Sequence, residues 1–248
     1  HVWINTYLLW TAPNNPSNRA HLYYRQPAWF ENNILTDNSS RENRNIYLSP
    51  HLDAVNQYLL KLITEIIDNY QIDGIHLDYV RYYNQFSGFH KEGLLGFNAL
   101  NPDIPLQPRD LITNDLWTKY RAERVEKFVK SAKRLLAAKN ENLLLSAAVK
   151  PNPVKAYINF GQNWPKWLNE QIVDHVIIMN YADNVKDFTE NLNLVQSNCE
   201  ITKVHCGIGL WNKPAKITSR QIKVSGEKGF KNIVLFSYDT IIENNWIK

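Results

Sequence analysis

The run Asp73-Gly74-Ile75-His76-Leu77-Asp78-Tyr79-Val80-Arg81-Tyr82 gathers the side chains best suited to chemistry in this chain. Successive side chains of a strand point to opposite faces. Gly74, His76 and Asp78 therefore share one face, and Asp73, Ile75 and Leu77 share the other. A strand with His and Asp opposite Ile and Leu presents polar groups to something that must meet them. In a parallel barrel that face is the interior, and its C-terminal end carries the active site. Carboxyl groups at such an end suit glycoside hydrolysis. One protonates the leaving oxygen while the other acts as nucleophile or as base for water. Asp78 is the first catalytic candidate. Its partner is Asp183 or Asp239, each just beyond a later strand, and the sequence does not choose between them. Each also has a plain structural role open to it: Asp78 as a partner of Arg81, Asp183 as a helix cap or loop turn, Asp239 as a loop residue.

The other strand ends add amides, aromatics and cations. His1, Trp3, Asn5 and Tyr7 alternate on one face of the first strand, and Trp10 lies just beyond it. Arg81 follows the second strand and Lys150 the third. Tyr181 stands at the end of the fourth and Trp211 at the end of the fifth. Such a set fits a sugar, whose hydroxyls need paired hydrogen bonds and whose ring face packs on Trp and Tyr. Asn5, Tyr7, Trp10, His76, Arg81, Lys150, Tyr181 and Trp211 are the expected substrate-binding residues. His76 is equally suited to a satisfied core position, and Trp10 and Trp211 to core packing. His76 and Asp78 together raise the question of a metal, but no third ligand has recognisable spacing. No metal and no cofactor are expected.

These residues must be positioned by strands that alternate with helices. The first strand is expected at about 2–9, followed by a long irregular stretch to about 49. Ser49-Pro50 has the pattern of an N-cap with Pro in the first turn. Val55, Leu59, Leu62, Ile63, Ile66, Ile67 and Tyr70 then recur at helical spacing. The second strand is expected at 74–79, and a second irregular stretch, with Pro102, Pro105 and Pro108, at 82–113. A long helix is expected over 115–138, a strand at 143–149, a short helix at 165–171 and a strand at 174–180. A helix at 186–197, a strand at 204–210, a helix from 218 to a C-cap at Gly229 and a last strand at 233–238 complete the pattern. Six strands alternating with helices are the signature of an α/β protein with a parallel sheet. A (β/α)8 TIM-type barrel lacking its first two βα units is the expected architecture, with residues 1–248 as a single catalytic-type domain. The chain starts mid-strand, so we expect it to be a piece of a longer protein. A doubly wound sheet is the alternative, but no Gly-rich phosphate loop follows any strand.

Composition narrows the function classes. The chain of 248 residues is 44% hydrophobic and 21% charged, enough for a large core. A net charge of +4 gives no clear nucleic-acid signature. No apolar run is long enough to cross a bilayer. Cys199 and Cys206 are too few for a disulfide framework, and either a pair or two free thiols is open.

Beyond these features, His1-Val2-Trp3-Ile4-Asn5, the run from Asp73 to Tyr82, Met179-Asn180-Tyr181 and Gly207-Ile208-Gly209-Leu210 occur in an order that resembles the bacterial glycosyl-hydrolase-like family 10 proteins. Gly161-Gln162-Asn163-Trp164, Trp167-Leu168 and Ile233 to Asp239 are similar to further segments of that family. The resemblance implies a barrel glycosidase acting on an oligosaccharide or polysaccharide, with some members acting on cell-wall glycans. It also implies an extracytoplasmic location, periplasmic, cell-surface or secreted. The central strand is more distantly similar to the Asp-Gly-x-Asp-x-Asp-x-Glu strand of family 18 chitinases. The position of their catalytic Glu is Val80 here, so their mechanism does not transfer directly. Tyr83 stands where the family often has Pro. Two further readings stay open: a barrel that binds glycan without cutting it, and a metal-dependent deacetylase using His76 and Asp78.

Overall fold

The computed structural model describes residues 1–11, 14–35, 45–211 and 213–243. It resolves into two compact units, His1–Leu145 with Tyr157–Gln162, and Ser146–Ala156 with the chain from Asn163 onward.

In the first unit, β1 (Val2–Asn5) is followed by β2 (Leu8–Thr11), the short α1 (Leu22–Arg25) and β3 (Asn45–Tyr47). Then come α2 (Asp53–Asn69), β4 (Gly74–Asp78), α3 (Lys91–Leu100), α4 (Pro108–Leu111) and α5 (Asp115–Lys139). β1 and β4 are parallel, with Trp3 opposite His76 and Asn5 opposite Asp78. Ile75 and Leu77 are sealed on one face of β4; on the other, Gly74 and Asp78 are buried and only His76 is part-exposed. α2 buries Val55, Leu59 and Ile63 at four-residue intervals, and it packs on α5. Burying each such side chain contributes roughly 1.5–3 kcal/mol.

The first strand is shorter than its pattern suggests. It ends at Asn5, and Leu8–Thr11 instead forms an antiparallel pair with β3. The run therefore belongs to two strands rather than one, and the alternation does not carry through to Tyr7. The first irregular stretch thus contains a strand, β3, and a helical turn; its residues 12–13 and 36–44 lie outside the described ones. α2 begins at Asp53 with Leu52 as N-cap, not at Ser49-Pro50. The Ser49 hydroxyl is engaged elsewhere, donating to Glu31 Oε2 at 2.6 Å. The second stretch holds α3, whose Gly93 and Gly96 weaken the helical signal. Packing overrides that weakness: Phe97 joins Phe89, Leu111, Trp117 and Tyr120 in a buried cluster. Pro102 and Pro105 do mark residues outside regular structure from 101 to 107, whereas Pro108 opens α4, where a proline in the first turn is tolerated.

β5 (Leu144–Val149) starts in the first unit, where Leu144 N donates to Asp73 O. Its last four residues belong to the second unit. The elements that follow are α6 (Pro153–Phe160), α7 (Trp164–Asn169), β6 (His175–Met179), α8 (Val185–Asn198), β7 (Val204–Gly209), α9 (Ala215–Glu227), β8 (Ile233–Phe236) and α10 (Tyr238–Glu243). In the second unit β5, β6, β7 and β8 pair in parallel, in chain order. Gly207 is required there, because a Cβ would lie 2.7 Å from the Ile178 carbonyl oxygen. α9 ends at Glu227, and Gly229 takes φ +84° just beyond it, as the expected C-cap requires. The last strand stops at Phe236, and Tyr238 and Asp239 open α10 instead of extending it. Cys199 and Cys206 are both free thiols. Among the described residues no helix is long and apolar enough to cross a membrane.

Candidate active site

In the first unit the site is built around the end of β4. Asp78 is the last strand residue and is only 6% exposed. Its Oδ1 accepts the N–H of Tyr79 at 2.6 Å. Tyr79 adopts φ +50°, a left-handed conformation that costs a non-glycine residue of order 1–3 kcal/mol. The turn is held by Arg81 N and Tyr7 N, both donating to Tyr79 O, at 2.8 and 3.3 Å. It swings the chain so that the Arg81 guanidinium lies over the rings of Tyr79, at 5.0 Å, and Phe160, at 5.3 Å. Asn5 is exposed and sits opposite Asp78 in the β1–β4 register.

Aromatic rings lead away from this turn. Tyr47 is 6.3 Å from Tyr79 and 5.6 Å from Tyr83, ring centre to ring centre. Burial pushes the Tyr47 phenol up to about 12; Arg81 opposes that shift, and the charges of Tyr79, Asp78 and Tyr83 add to it. Tyr47 and Tyr83 in turn line a cleft of about 490 Å³, together with Glu31, Asn33, Asn45 and His90. Glu31 Oε1 accepts the N–H groups of Asn32, at 2.8 Å, and His90, at 3.0 Å. Burial raises the Glu31 carboxyl, and its hydrogen bonds from Ser49, Asn32 and His90 oppose that rise. His90 Nδ1 accepts from Glu92 N, and its Nε2 lies 3.0 Å from Ala28 O.

The other expected binding residues of this unit have contacts of their own. Tyr7 is fully buried, and its hydroxyl donates to Asn56 Oδ1 at 2.9 Å, so it is a core residue and the expectation of substrate contact is corrected. Trp10 donates from Nε1 to Asn14 O and meets His21 edge to face at 5.4 Å. His76 is met edge-on by Trp3 at 5.5 Å.

The second unit supplies an aromatic platform. Tyr181 lies 5.0 Å from Trp211, edge to face, and both rings meet Phe236, at 6.0 and 5.8 Å. Trp211 is 52% exposed, so the platform has an open indole face. The Tyr181–Asn184 loop is held from below by Lys213, which is 8% exposed. Its Nζ donates to Ala182 O at 2.5 Å and to Gln221 Oε1 at 2.9 Å. Gln221 Nε2 donates to Ala182 O and Asn184 O. Burial lowers the Lys213 ammonium and the nearby Asp183 charge opposes that. Asp183 is exposed and accepts from Asn184 Nδ2 at 3.0 Å, while Asn184 itself caps α8. Asp239 is exposed in the first turn of α10. The carbonyl of Lys150 accepts from Trp164 Nε1 at 3.1 Å.

Sequence reasoning missed Glu31, Tyr47, Tyr83, Lys213 and Phe236. Glu31, Tyr47 and Tyr83 lie on loops or a three-residue strand, where no periodicity marks them. Phe236 ends a continuous apolar strand, Ile233–Phe236, in which no alternation singles it out.

A family profile described as Glycosyl hydrolase-like 10 matches residues 4–224. Among curated proteins, an S-layer-related protein of Niallia circulans is 26% identical over 148 residues, covering 51% of this chain and 9% of that protein. The chain thus spans a small part of that relative's length. Among solved structures, the PgaB (BpsB) glycoside hydrolase domain of Bordetella bronchiseptica superposes with a TM-score of 0.75 at 14% identity, covering 97% of this chain and 71% of that one. An α-L-fucosidase isoenzyme 2 of Paenibacillus thiaminolyticus gives 0.59 at 10% identity, covering 86% of this chain and 31% of that one. At these identities the likeness is one of fold.

Proposed function

Because the chain belongs to the glycosyl hydrolase-like 10 family, we propose that it is a glycoside hydrolase cleaving a bacterial polysaccharide, of the cell-wall peptidoglycan type, by carboxylate acid–base catalysis. The observation that carries this reading is Asp78: a nearly buried carboxylate at a strand end, followed by a left-handed Tyr79 whose ring carries the Arg81 guanidinium. Asp78 is the essential carboxyl in this reading, with Asp183 as its partner and Asp239 as the alternative. One carboxylic acid gives its proton to the leaving oxygen, and the other carboxylate attacks the anomeric carbon or takes a proton from attacking water. Asn5, His76 and Arg81 hold the sugar near Asp78, and Tyr181 and Trp211 stack on a ring. The reading includes a (β/α)8 barrel acting as one domain, an extracytoplasmic location, and no cofactor. The peptidoglycan preference and the location rest on the family resemblance.

A second reading, a barrel that binds glycan without cutting it, is favoured by one residue. Val80 is fully buried where the chitinase-type strand carries its catalytic Glu. Incubation with peptide-free peptidoglycan strands and chitin oligomers separates the two. Products that vanish in Asp78→Asn support hydrolysis, whereas binding without product supports the second reading.

A further inference from the structure

We infer that the cleft over Glu31 is a saccharide subsite on the Asp78 side of this unit, in which Glu31 and the Tyr83 ring, backed by the buried Tyr47, hold one pyranose ring. The inference rests on the reading of the chain as glycan-acting, and it assigns a ligand-binding role to a carboxylate outside the strand ends.

The cleft's volume of about 490 Å³ falls inside the range of roughly 300–1,000 Å³ usual for small-ligand sites. Its wall carries the two features a sugar needs. The Tyr83 ring is 42% exposed and leans on Tyr47 at 5.6 Å with planes 52° apart, offering an aromatic face for C–H groups. Glu31 and Asn45 supply polar atoms for hydroxyls, while the Asn33 amide is engaged by Asn84, Ser87 and Leu35. The rings run from Tyr83 through the buried Tyr47 to Tyr79, the residue that follows Asp78, so the cleft and Asp78 border the same aromatic cluster.

The hydrogen bonding of Glu31 is the decisive part. A carboxylate offers about four acceptor sites. Among the described residues Glu31 uses three of them: two on Oε1, from Asn32 N and His90 N, and one on Oε2, from Ser49 Oγ. The remaining site on Oε2 suits a ligand hydroxyl. Holding three loop segments together does not by itself require a charge, since a glutamine oxygen accepts from the same backbone donors. Burial makes the Glu31 charge costly, and, among the described residues, the charges of buried Arg121 and of His90 act on it electrostatically rather than through an ion pair. A donor hydroxyl from a sugar gives the carboxylate a partner there and makes a stronger bond than an amide oxygen would.

The test measures binding of N-acetylglucosamine pentamer and of peptide-free peptidoglycan strands by titration calorimetry, in an Asp78→Asn background so that nothing is consumed. Glu31→Gln keeps the backbone contacts, and Tyr83→Ala alters an exposed ring, so at least one of them retains the fold, as checked by circular dichroism. The expected result is a loss of affinity of about fivefold to tenfold in each folded variant, with Tyr83→Phe close to the parent. Parental affinity in both, with cleavage by the unmodified chain intact, overturns this inference alone. No binding and no cleavage of either glycan by the unmodified chain overturns both this inference and the proposed function.

Discussion

Gly209 lies directly beneath the Trp211 indole: a Cβ at 209 would stand 2.6 Å from Cη2 of that ring and 3.1 Å from Cγ of Tyr181. The glycine at the end of β7 is thus what lets the indole fold back over the strand end and meet Tyr181 and Phe236. Gly209→Ala is expected to push Trp211 off the platform, seen as altered indole fluorescence, while the buried core of the unit is retained. Trp211→Ala, at a residue 52% exposed, is expected to change stability by less than about 0.5 kcal/mol. It should weaken glycan binding by about 1 kcal/mol, measured by calorimetry.

Arg121 is 2% exposed, and its guanidinium lies 4.5 Å over the Tyr82 ring. It donates to three backbone carbonyls: Ile158 at 3.2 Å, Asn84 at 2.8 Å and Asn159 at 3.3 Å. It ties the loop after Arg81 to the end of α6, where Tyr82 N also donates to Phe160 O. Arg121→Leu leaves those carbonyls unpaired and is expected to cost about 2–4 kcal/mol in urea unfolding. Arg121→Lys is expected to recover little of it, because an ammonium cannot span carbonyls arranged for a planar fork.

His51 makes acid stability a specific expectation. Its ring stacks on Trp117 and Tyr120, at 5.9 and 5.5 Å, and its Nε2 is 3.1 Å from the Tyr82 hydroxyl. Burial, with help from the Arg121 charge, lowers its pKa to about 3 from 6.5. The unfolded chain therefore takes up the proton first as pH falls. The contribution is fully present above pH 6.5 and is lost progressively toward pH 3. His51→Gln is expected to reduce the stability difference between neutral pH and about pH 4 by on the order of 2–3 kcal/mol, read from denaturant midpoints at each pH. An unchanged slope would show that His51 does not titrate in this way.

Long periodic segments were legible in the sequence. α5 runs from Asp115 to Lys139 almost as its apolar spacing requires, and β6 and β7 lie within one residue of expectation at each end. Asp78 was legible because a carboxylate on the polar face of an alternating strand has few other uses. What stayed hidden depends on partners distant in sequence. Ser49 was read as a helix cap because its local pattern fits one, yet Glu31, eighteen residues away, takes its hydroxyl. Alternation puts Tyr7 on the face of Trp3 and Asn5, because nothing local marks the break after Asn5. Glu31, Tyr47 and Tyr83 come together through loop folding, which leaves no period in the sequence.

Central to the account is Asp78 as the essential carboxyl of a glycosidase. The most direct measurement is mass spectrometry of the products formed from peptide-free peptidoglycan strands and chitin oligomers by the unmodified chain and by Asp78→Asn. Cleavage by the former and a loss of about 10²–10⁴-fold in rate in the latter are expected, with matching thermal unfolding. Equal turnover by the two would contradict it and remove Asp78 from the mechanism.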